Sequence, residues 1–542
     1  MNAKKLIAAF LALVLCAGIL SACETKPVET APPTTNSTEP AAVVLKNTDI
    51  YPLDFTGTLT CATSRTNVDE TVFWLAWEEH TGVDVEWRPT AQEQTPLLFA
   101  SASEMPDMFF QVSGLTIPMI NGYGQSGLLI NYMDYLDKMP NIAARYAEDP
   151  RLFDAVKDAN GAVYTLPYIC DTLTMSSHLF YIQTDMTKAA GWEELPDTIE
   201  EFLTMCEDLQ TYYADVDGYI PMLCNAPAAI GYDGYYSQFF FPAFGELMQP
   251  GLTTNAARDK IEAGFATEQF KNYISFMHTL YAEGYMDPEC FIADANTSRA
   301  KMIEKSATMC NTGTFLTREN FASGELDFQV MPPMSSQYQS ETRWAKPNTY
   351  RQGMYMISSS CKELDAALAF MDALYSVREN PLNDEGTVWG VSIWIGELGV
   401  NYTLDEDAGS YSIIVPEGFD TAGVYNITAG SGNGAYLKWP YYEASGSGQE
   451  KKALGTRDIL LPHGVDVFSV TLLNLTEDEQ DIYNDNWTEI NAYVTEMNAA
   501  FITGQKDISA EWDNYIATLY KIGLQEILNV YQAALERYNA GN

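Results

Sequence analysis

Strand-like and helix-like patterns alternate quickly along the chain from residue 59 onward. Apolar residues recur every three or four positions in residues 71–81, which predicts an amphipathic helix that ends at Gly82. Apolar and polar residues alternate one by one on either side of this stretch, which predicts strands. The predicted order is strand, helix, strand, helix, strand, over residues 59–62, 71–81, 83–87, 95–103 and 106–110. This order favours an α/β fold with a largely parallel sheet.

Two polar loops follow the first and third of these predicted strands. Ser64 and Arg65 come after the first strand, and Gln111 and Ser113 come after the third. Because ligands of such sheets bind beyond the carboxyl ends of the strands, both loops are expected beside one crevice. These four residues are therefore candidates for ligand binding. A surface ion pair is the alternative role for Arg65 in so acidic a chain.

Amphipathic stripes predict further helices toward the C-terminus. They cover residues 267–283 and 364–375, and later begin near Trp512 and Leu524. Thr476 and Glu479 match a capping box that starts a long helix reaching about residue 502. The stretch between residues 380 and 475 is rich in Gly, Ser, Tyr and Trp, and it is predicted to form loops and short strands that cover a surface.

Residues 1–22 are predicted to be a lipoprotein signal peptide, because two lysines precede an apolar run that ends in small residues. The run is shorter than the ~20 residues that cross a hydrocarbon core, so it is not expected to remain as a membrane span. Leu-Ser-Ala-Cys, ending at Cys23, resembles a bacterial lipobox, which implies an acylated Cys23. An ordinary signal peptide with a chance cysteine is the alternative. Residues 23–50, rich in Pro, Thr and Glu, then form the acylated cysteine and a disordered tether.

Composition limits the partners of the remaining body of the chain. Its length of about 490 residues is too great for one core and indicates two or three lobes. The sequence holds 30 Lys and Arg against 73 Asp and Glu, a formal charge of −43, which argues against nucleic acid as a partner. Nine cysteines occur without a C-x-x-C pair, so neither a zinc ribbon nor a disulfide framework is indicated. Most are expected to be buried thiols, with one disulfide pair left open.

Several segments, in this order, resemble the extracellular solute-binding proteins of family 1, the sugar-binding lipoproteins of ABC importers. They include Glu-His-Thr-Gly-Val at 79–83, Met-Pro-Asp at 105–107, Asn-Gly-Ala-Val-Tyr-Thr-Leu-Pro at 160–167 and Leu-Tyr-Ala-Glu-Gly-Tyr-Met-Asp-Pro at 280–288. The segment from residue 501 to 538 is similar to the large Gram-positive branch with an extended tail. The resemblance covers nearly the whole mature chain.

The resemblance implies an α/β, two-lobed, periplasmic-binding-protein-like fold of class II type, with a hinge and an extended helical C-terminal tail. Lobe 1 is expected to hold residues 51–168 with 345–378, and lobe 2 residues 173–334 with 385–542. The lobes are expected to close around a solute, most simply an oligosaccharide, and to deliver it to the transmembrane subunits of an ABC permease. The protein is expected to be a monomer, lipid-anchored on the extracellular face of the cell membrane.

Sugar recognition needs aromatic rings for the C–H face of a pyranose and planar polar groups for its hydroxyls. Tyr235, Tyr236, Trp389 and Trp394 lie in segments without a helical stripe and are candidates for the aromatic part. Packing beneath a long loop is the alternative for the tryptophans.

Two further candidates come only from the resemblance. Asp171 lies four residues after Pro167, where sugar-binding relatives hold an acidic ligand residue, and an exposed loop carboxylate is its alternative. Phe315 matches a position where relatives offer a stacking aromatic, more often a tryptophan. The smaller ring weakens that assignment.

Catalytic and metal-binding motifs are missing from the sequence. The four histidines form no H-E-x-x-H, and no G-x-S-x-G, Walker loop or G-x-G-x-x-G occurs. Relatives often carry a calcium loop where this chain has Asp215 and Asp217, but two aspartates fall short of the six to eight oxygens that calcium takes, so no ion is expected. The chain is therefore predicted to bind without catalysis and without a cofactor. A secreted carbohydrate-active enzyme and a surface sensory module without a transporter are the alternatives.

Overall fold

The structure is a computed structural model that describes residues 52–65, 68, 71–100, 105–170, 179–311, 316, 320, 326–348, 350–375, 399, 402–405, 407–415, 436–437 and 442–541. The predicted leader, Cys23 and the whole predicted tether lie outside these residues. Among the described helices, none combines the length and the apolar character that crossing a bilayer requires.

The described strands form two main sheets and three small ones. They are β1 (Thr58–Thr63), β2 (Asp84–Pro89), β3 (Met108–Phe110), β4 (Leu166–Cys170), β5 (Tyr181–Gln183), β6 (Ile220–Leu223), β7 (Leu252–Thr254), β8 (Ile261–Ala263), β9 (Ala307–Cys310), β10 (Phe328–Val330), β11 (Trp344–Lys346), β12 (Tyr350–Ile357), β13 (Tyr402–Asp405), β14 (Ser410–Ile413), β15 (Tyr436–Leu437), β16 (Tyr442–Glu443) and β17 (Gly464–Asp466).

Helices cover the sheets and form the C-terminal tail. They are α1 (Val72–Thr81), α2 (Ile117–Gln125), α3 (Pro140–Glu148), α4 (Arg151–Asp154), α5 (Thr184–Ala189), α6 (Ile199–Tyr212), α7 (Tyr235–Phe240), α8 (Glu268–Ala282), α9 (Ala295–Ile303), α10 (Leu364–Ala373), α11 (Gly448–Gly455), α12 (Glu477–Ile502), α13 (Ile508–Lys521) and α14 (Leu524–Gly541). The predicted helix over 95–103 is instead a 3-10 turn, Thr95–Ala100.

The first sheet has six strands in the order β15-β4-β12-β3-β1-β2. Strands β2, β1 and β3 run parallel, whereas β12 is antiparallel to both β3 and β4. Phe110 points into one hydrophobic cluster and Phe109 into another on the opposite face, as the period of two along a strand requires. The sheet is therefore buried on both faces, which is the arrangement expected when parallel strands are joined by helices.

An aromatic group supports the end of β3. Trp74 on α1 lies 5.1 Å from Trp87 and 4.9 Å from Phe110, measured between ring centroids, and Phe370 on α10 completes the group. Tilted and edge-on pairs of this kind stabilise a core by about 0.5–1.5 kcal/mol beyond the burial of their area. The loop that begins at Gln111 therefore leaves from a rigid strand.

The second sheet has four strands in the order β10-β5-β9-β6 and a core of its own. Strand β5 is antiparallel to β10 and β9, and β6 is parallel to β9. Helices α6 and α8 bury apolar stripes against this core; Thr198 and Thr267 cap their N-termini by accepting backbone hydrogen bonds. Two main sheets with separate cores confirm the predicted two-lobed α/β fold.

The C-terminal tail is helical, as expected, and it joins both cores. The predicted capping box at Thr476 and Glu479 is present and starts α12. Leu524 and Ile527 of α14 belong to the second core, whereas Ala534 and Leu535 of the same helix belong to the first.

Several apolar residues expected in lobe 2, Ile261 among them, pack in the first core. Tyr402 and Tyr411 pack in the first core, and so does the end of α14, although residues 385–542 were all assigned to lobe 2. The physical reason is that a helix and a hairpin at the junction can bury their apolar faces against either sheet, and local pattern does not say which.

The thiols are largely as expected. Cys61, Cys206, Cys224 and Cys290 are buried free thiols, Cys310 is buried, and Cys361 is half-buried and free. In the described part of the chain, no group of three or more His, Cys, Asp or Glu side chains is placed to hold a metal ion.

Candidate functional site

The segments that pass between the main sheets define which strand ends lie at the junction. The chain leaves the first sheet at the end of β4 and returns at the start of β12, and it enters the second sheet at β5 and leaves at the end of β10. The carboxyl ends of β1 and β3 share the first of these edges, and those of β6 and β9 share the second. We call them the first and second interlobe edges. Carboxyl ends of strands are where α/β sheets bind ligands.

At the first interlobe edge, the two predicted loops are joined by hydrogen bonds. The Ser64 hydroxyl accepts a bond of 2.8 Å from the backbone N–H of Ser113 and donates one of 3.2 Å to the carbonyl of Thr90. Gly114 is required beside them, because a Cβ there would lie 2.2 Å from the carbonyl oxygen of Gln92 and its φ is 88°. The structure thus brings Ser64 and Ser113 together as expected.

Arg65 and Gln111 belong to a second chain of hydrogen bonds at the same edge. Arg65 Nε donates to Gln111 Oε1 over 3.0 Å, and Gln111 Nε2 donates to the hydroxyl of Tyr355 over 2.8 Å. Arg65 and Gln111 are half-buried, while Tyr355 is fully buried. The buried Tyr355 hydroxyl therefore orients the Gln111 amide, and this amide orients the Arg65 guanidinium at the surface of the junction.

The backbone beneath this chain of bonds is strained. Gln111 has φ of 49° and Met354 has φ of 55°, both in the left-handed region that non-glycine residues avoid. The N–H of Gln111 donates to the carbonyl of Met354 over 3.0 Å, and β12 carries an irregularity between Gln352 and Tyr355 at this point. Such outliers are typical of binding sites, where surrounding structure holds them in place.

At the second interlobe edge, two asparagines end neighbouring parallel strands. The N–H of Asn225 donates to Asn311 Oδ1 over 2.9 Å, and Asn311 Nδ2 donates to Asn225 Oδ1. Asn311 is buried, whereas Asn225 is half-buried. The pair fixes the Asn225 amide at the end of β6, and among the described residues the Asn225 Nδ2 group has no acceptor.

The two tyrosines predicted near this edge have different surroundings. Tyr235 is half-buried on the edge of the second core. Tyr236 is 1 % exposed, its hydroxyl donates to the carbonyl of Leu223, and its ring lies 5.5 Å from that of Phe180. The expectation that Tyr236 contacts ligand is therefore corrected to a core role. A Gly-Tyr-Tyr pattern at the start of a six-residue helix does not indicate which ring faces inward.

Several predicted site residues lie outside the described residues. They are Asp171, Phe315, Trp389 and Trp394, together with the predicted lipidation site Cys23. Their roles stay predictions.

Three residues of the two edges were not predicted as ligand contacts: Tyr355, Asn225 and Asn311. A polar residue just after a strand, the signal at Ser64 and Gln111, also marks Asn225 and Asn311. No local signal marks Tyr355, because its role depends on pairing between β12 and β3 across more than two hundred residues of sequence.

The chemistry of the two edges is that of hydrogen bonding to neutral groups. The polar groups are amides, hydroxyls and one guanidinium. Burial raises the pKa of the Cys224 thiol, directly before Asn225, well above its usual value, so it is a neutral thiol rather than a thiolate nucleophile. His278 and His463 are hydrogen-bonded to the carbonyl of Ile502 and the hydroxyl of Thr342. The described residues of the edges thus suit binding and present no nucleophile with an adjacent base.

Comparison with known proteins gives sequence and structural relatives. No protein-family model matches the chain. It is 22% identical over 481 residues to the fructooligosaccharide ABC transporter substrate-binding protein FusA of Streptococcus pneumoniae, covering 85% of this chain and 86% of that protein.

Solved structures extend this finding. The structure of FusA in complex with kestose matches with a TM-score of 0.67 and 20% identity, covering 90% of this chain and 100% of the other. A human-milk-oligosaccharide-binding (HMO) solute-binding protein associated with an ABC transporter of Bifidobacterium longum infantis matches with a TM-score of 0.72 and 16% identity, covering 90% and 99%. The chain therefore has the two-lobed fold of the ABC-transporter solute-binding proteins, and its predicted resemblance to that family is confirmed.

Proposed function

We propose that this protein is the substrate-binding component of an ABC importer and that it captures an oligosaccharide between its lobes. The observation that carries the proposal is the arrangement of the two interlobe edges. Each edge places oriented amides at the ends of parallel strands, and the crossing segments join the two edges. Likeness to FusA over most of both chains supports the same role.

The polar groups of the edges suit a neutral, hydroxyl-rich ligand. Planar amides and a guanidinium match the paired hydroxyls of a sugar, because they donate and accept in one plane. Arg65 supplies donors from the first lobe, and Asn225 supplies donors from the second. The aromatic platforms that sugar rings require are assigned, as part of the proposal, to Phe315, Trp389 and Trp394, with Asp171 as an acidic acceptor.

Capture proceeds by closure of the lobes. A ligand that contacts both edges binds the closed form more tightly than the open form, and this difference in affinity shifts the population toward closure. The closed complex then presents the solute to the transmembrane subunits of a permease. The proposal places the protein on the extracellular face, held at Cys23 by lipid, as a monomer that releases its ligand unchanged.

The proposal is tested by calorimetric titration of the purified protein with sucrose, kestose, nystose, maltotriose and lacto-N-tetraose. We expect saturable binding of at least one oligosaccharide. Arg65→Ala should weaken that binding about tenfold or more, because a hydrogen bond to a charged group contributes about 1.5–3 kcal/mol.

Arg88→Ala is the matched control, because Arg88 is an exposed cation on β2 that forms an ion pair with Glu86. It should leave the affinity unchanged. Chromatography of each sugar after incubation with the protein should recover it intact. Cleavage products would replace the proposal with a carbohydrate-active enzyme, and an absence of binding across oligosaccharides would contradict the proposed ligand class.

A further inference from the structure

A cavity lies where the lobes are joined, and its lining includes none of the ligand candidates of the two interlobe edges. Its volume is about 120 Å³. Its lining comes from α4 and the start of β12 in the first lobe, from the β7–β8 hairpin, from the segments around β11 and β17, and from α14. The cavity therefore touches the crossing segment and the helix that both cores share.

Three of the cavity's lining side chains are cations: Arg151, Arg258 and Lys346. The chain holds only 30 Lys and Arg against 73 Asp and Glu. With Asp466 as its one lining carboxylate, the cavity lining has a net positive charge, unlike the chain as a whole. Charge of one sign in a cleft concentrates ions of the opposite sign there.

Two of the three cations already have carboxylate partners. Arg151 donates to both oxygens of Asp149 over 2.8 and 2.7 Å, and Lys346 lies 2.9 Å from Asp466. Arg258 forms no ion pair with any of the described residues. Its guanidinium carbon lies 5.8 Å from the ring centroid of Phe468, which contacts the ring of Tyr538 on α14.

The backbone holds Arg258 at this position. Its φ is 57°, its carbonyl accepts a bond of 2.9 Å from Asn539 Nδ2, and the neighbouring Asp259 carbonyl accepts one of 2.9 Å from Gln532. These two hydrogen bonds to α14 hold the tip of the β7–β8 hairpin beside the cavity, with Arg258 in its left-handed conformation. Left-handed conformations at non-glycine residues are concentrated at functional sites.

We propose that this cavity binds a small oxyanion, of the phosphate or carboxylate class, with Arg258 as its principal ligand. The planar guanidinium provides two parallel N–H donors that match two oxygens of such an anion. Arg151 and Lys346 add positive charge nearby. The carboxylate of Asp466 limits how much negative charge the bound anion can carry. The bound anion braces the hairpin, the crossing segment and α14 against one another.

The test uses inorganic phosphate and the purified full-length mature protein. Phosphate is titrated at constant ionic strength, with sodium chloride making up the balance, and binding is followed by calorimetry and by the thermal midpoint. We expect saturable binding with a rise in the midpoint. Arg258→Gln should weaken phosphate binding at least tenfold, because it removes the charge and the paired donors.

Arg299→Gln is the matched control, since it removes one cation from α9, outside the cavity. It should bind phosphate as the unchanged protein does. Arg258→Lys keeps the charge without the planar fork and should bind with intermediate strength, which keeps the test informative if Arg258→Gln folds poorly. A rise in midpoint of equal size in all variants would show a general salt effect and overturn the proposal. So would the absence of saturable binding to the unchanged protein.

This inference does not depend on the proposed sugar function. Oligosaccharide affinity is measured in the same variants, and it should be retained in Arg258→Gln. A protein that binds phosphate but no sugar would keep the oxyanion site and contradict only the proposed function.

Discussion

The two interlobe edges hold their polar side chains by different means. The first edge uses two left-handed residues, Gln111 and Met354, and a chain of bonds that ends on a buried phenol. The second edge uses two asparagines at the ends of adjacent parallel strands, and neither has a positive φ. Strained backbone shapes one side, and pairing between two side-chain amides shapes the other. The consequence is that the two sides should respond differently to substitution.

The largest expected effect is at the second edge. Asn311→Ala should lower the free energy of unfolding by about 2–4 kcal/mol, because it leaves the N–H of Asn225 without its acceptor and opens a small cavity. Urea unfolding with linear extrapolation measures the change. Asn514→Ala, an exposed position on α13, is the control and should change stability by about 0.5 kcal/mol or less. Equal losses in both variants would mean that the asparagine pair does not hold this edge.

The next largest expected effect is a pH-dependent change in stability at Asp372. This residue lies on α10, the helix that packs behind the first edge. Asp372 on α10 accepts hydrogen bonds from the N–H groups of Asn141 and Ile142 at the start of α3, at 3.2 and 2.9 Å, and from the Asn141 side chain at 2.8 Å. It is 2 % exposed, and burial raises its pKa from 3.8 to about 6 despite these bonds.

A carboxyl with a raised pKa in the folded protein binds its proton more tightly there than in the unfolded chain. Its contribution to stability therefore falls as pH rises from about 4 to about 6, by about 1.4 kcal/mol per unit of pKa shift, and is constant above that range. Asp372→Asn should flatten this slope in urea unfolding at pH 4, 5, 6 and 7. Asp365→Asn, whose side chain is 80% exposed, should leave the slope unchanged. An unchanged slope in Asp372→Asn would refute the assignment.

The smallest effect separates strain from side-chain contacts at the first edge. Gln111→Ala and Gln111→Gly both remove the amide that joins Arg65 to Tyr355. Glycine carries no Cβ penalty at a φ of 49°, so Gln111→Gly should be more stable than Gln111→Ala by about 1 kcal/mol. Thermal or urea unfolding of the two variants side by side gives the difference. If alanine were the more stable of the two, the backbone at Gln111 would not be strained.

How much of the fold and of the two edges can be predicted from the sequence depends on how far apart the interacting residues lie along the chain. A strand end is a local feature of the sequence. The alternation of strands and helices was therefore enough to predict that the loops at Ser64 and Gln111 lie together. Tyr355 was not accessible, because its position depends on the register between β12 and β3. Tyr236 was misassigned for the opposite reason, since an aromatic ring after glycine suits a core and a surface equally well.

Lobe membership shows the same limit. The capping box at Thr476 correctly located the start of α12, because capping depends on four consecutive residues. The stripe of α14 correctly predicted a helix but not its neighbours, because apolar side chains at helical spacing do not specify the surface that covers them. Its two ends proved to belong to different cores.

Helix α14 couples the stability of the two lobes. Melting either core would strip apolar neighbours from half of α14, and the remaining half is too short to hold a helix by itself. Loss of order in one lobe should therefore destabilise the other. The eighteen residues of α14 thus link the unfolding of the two halves.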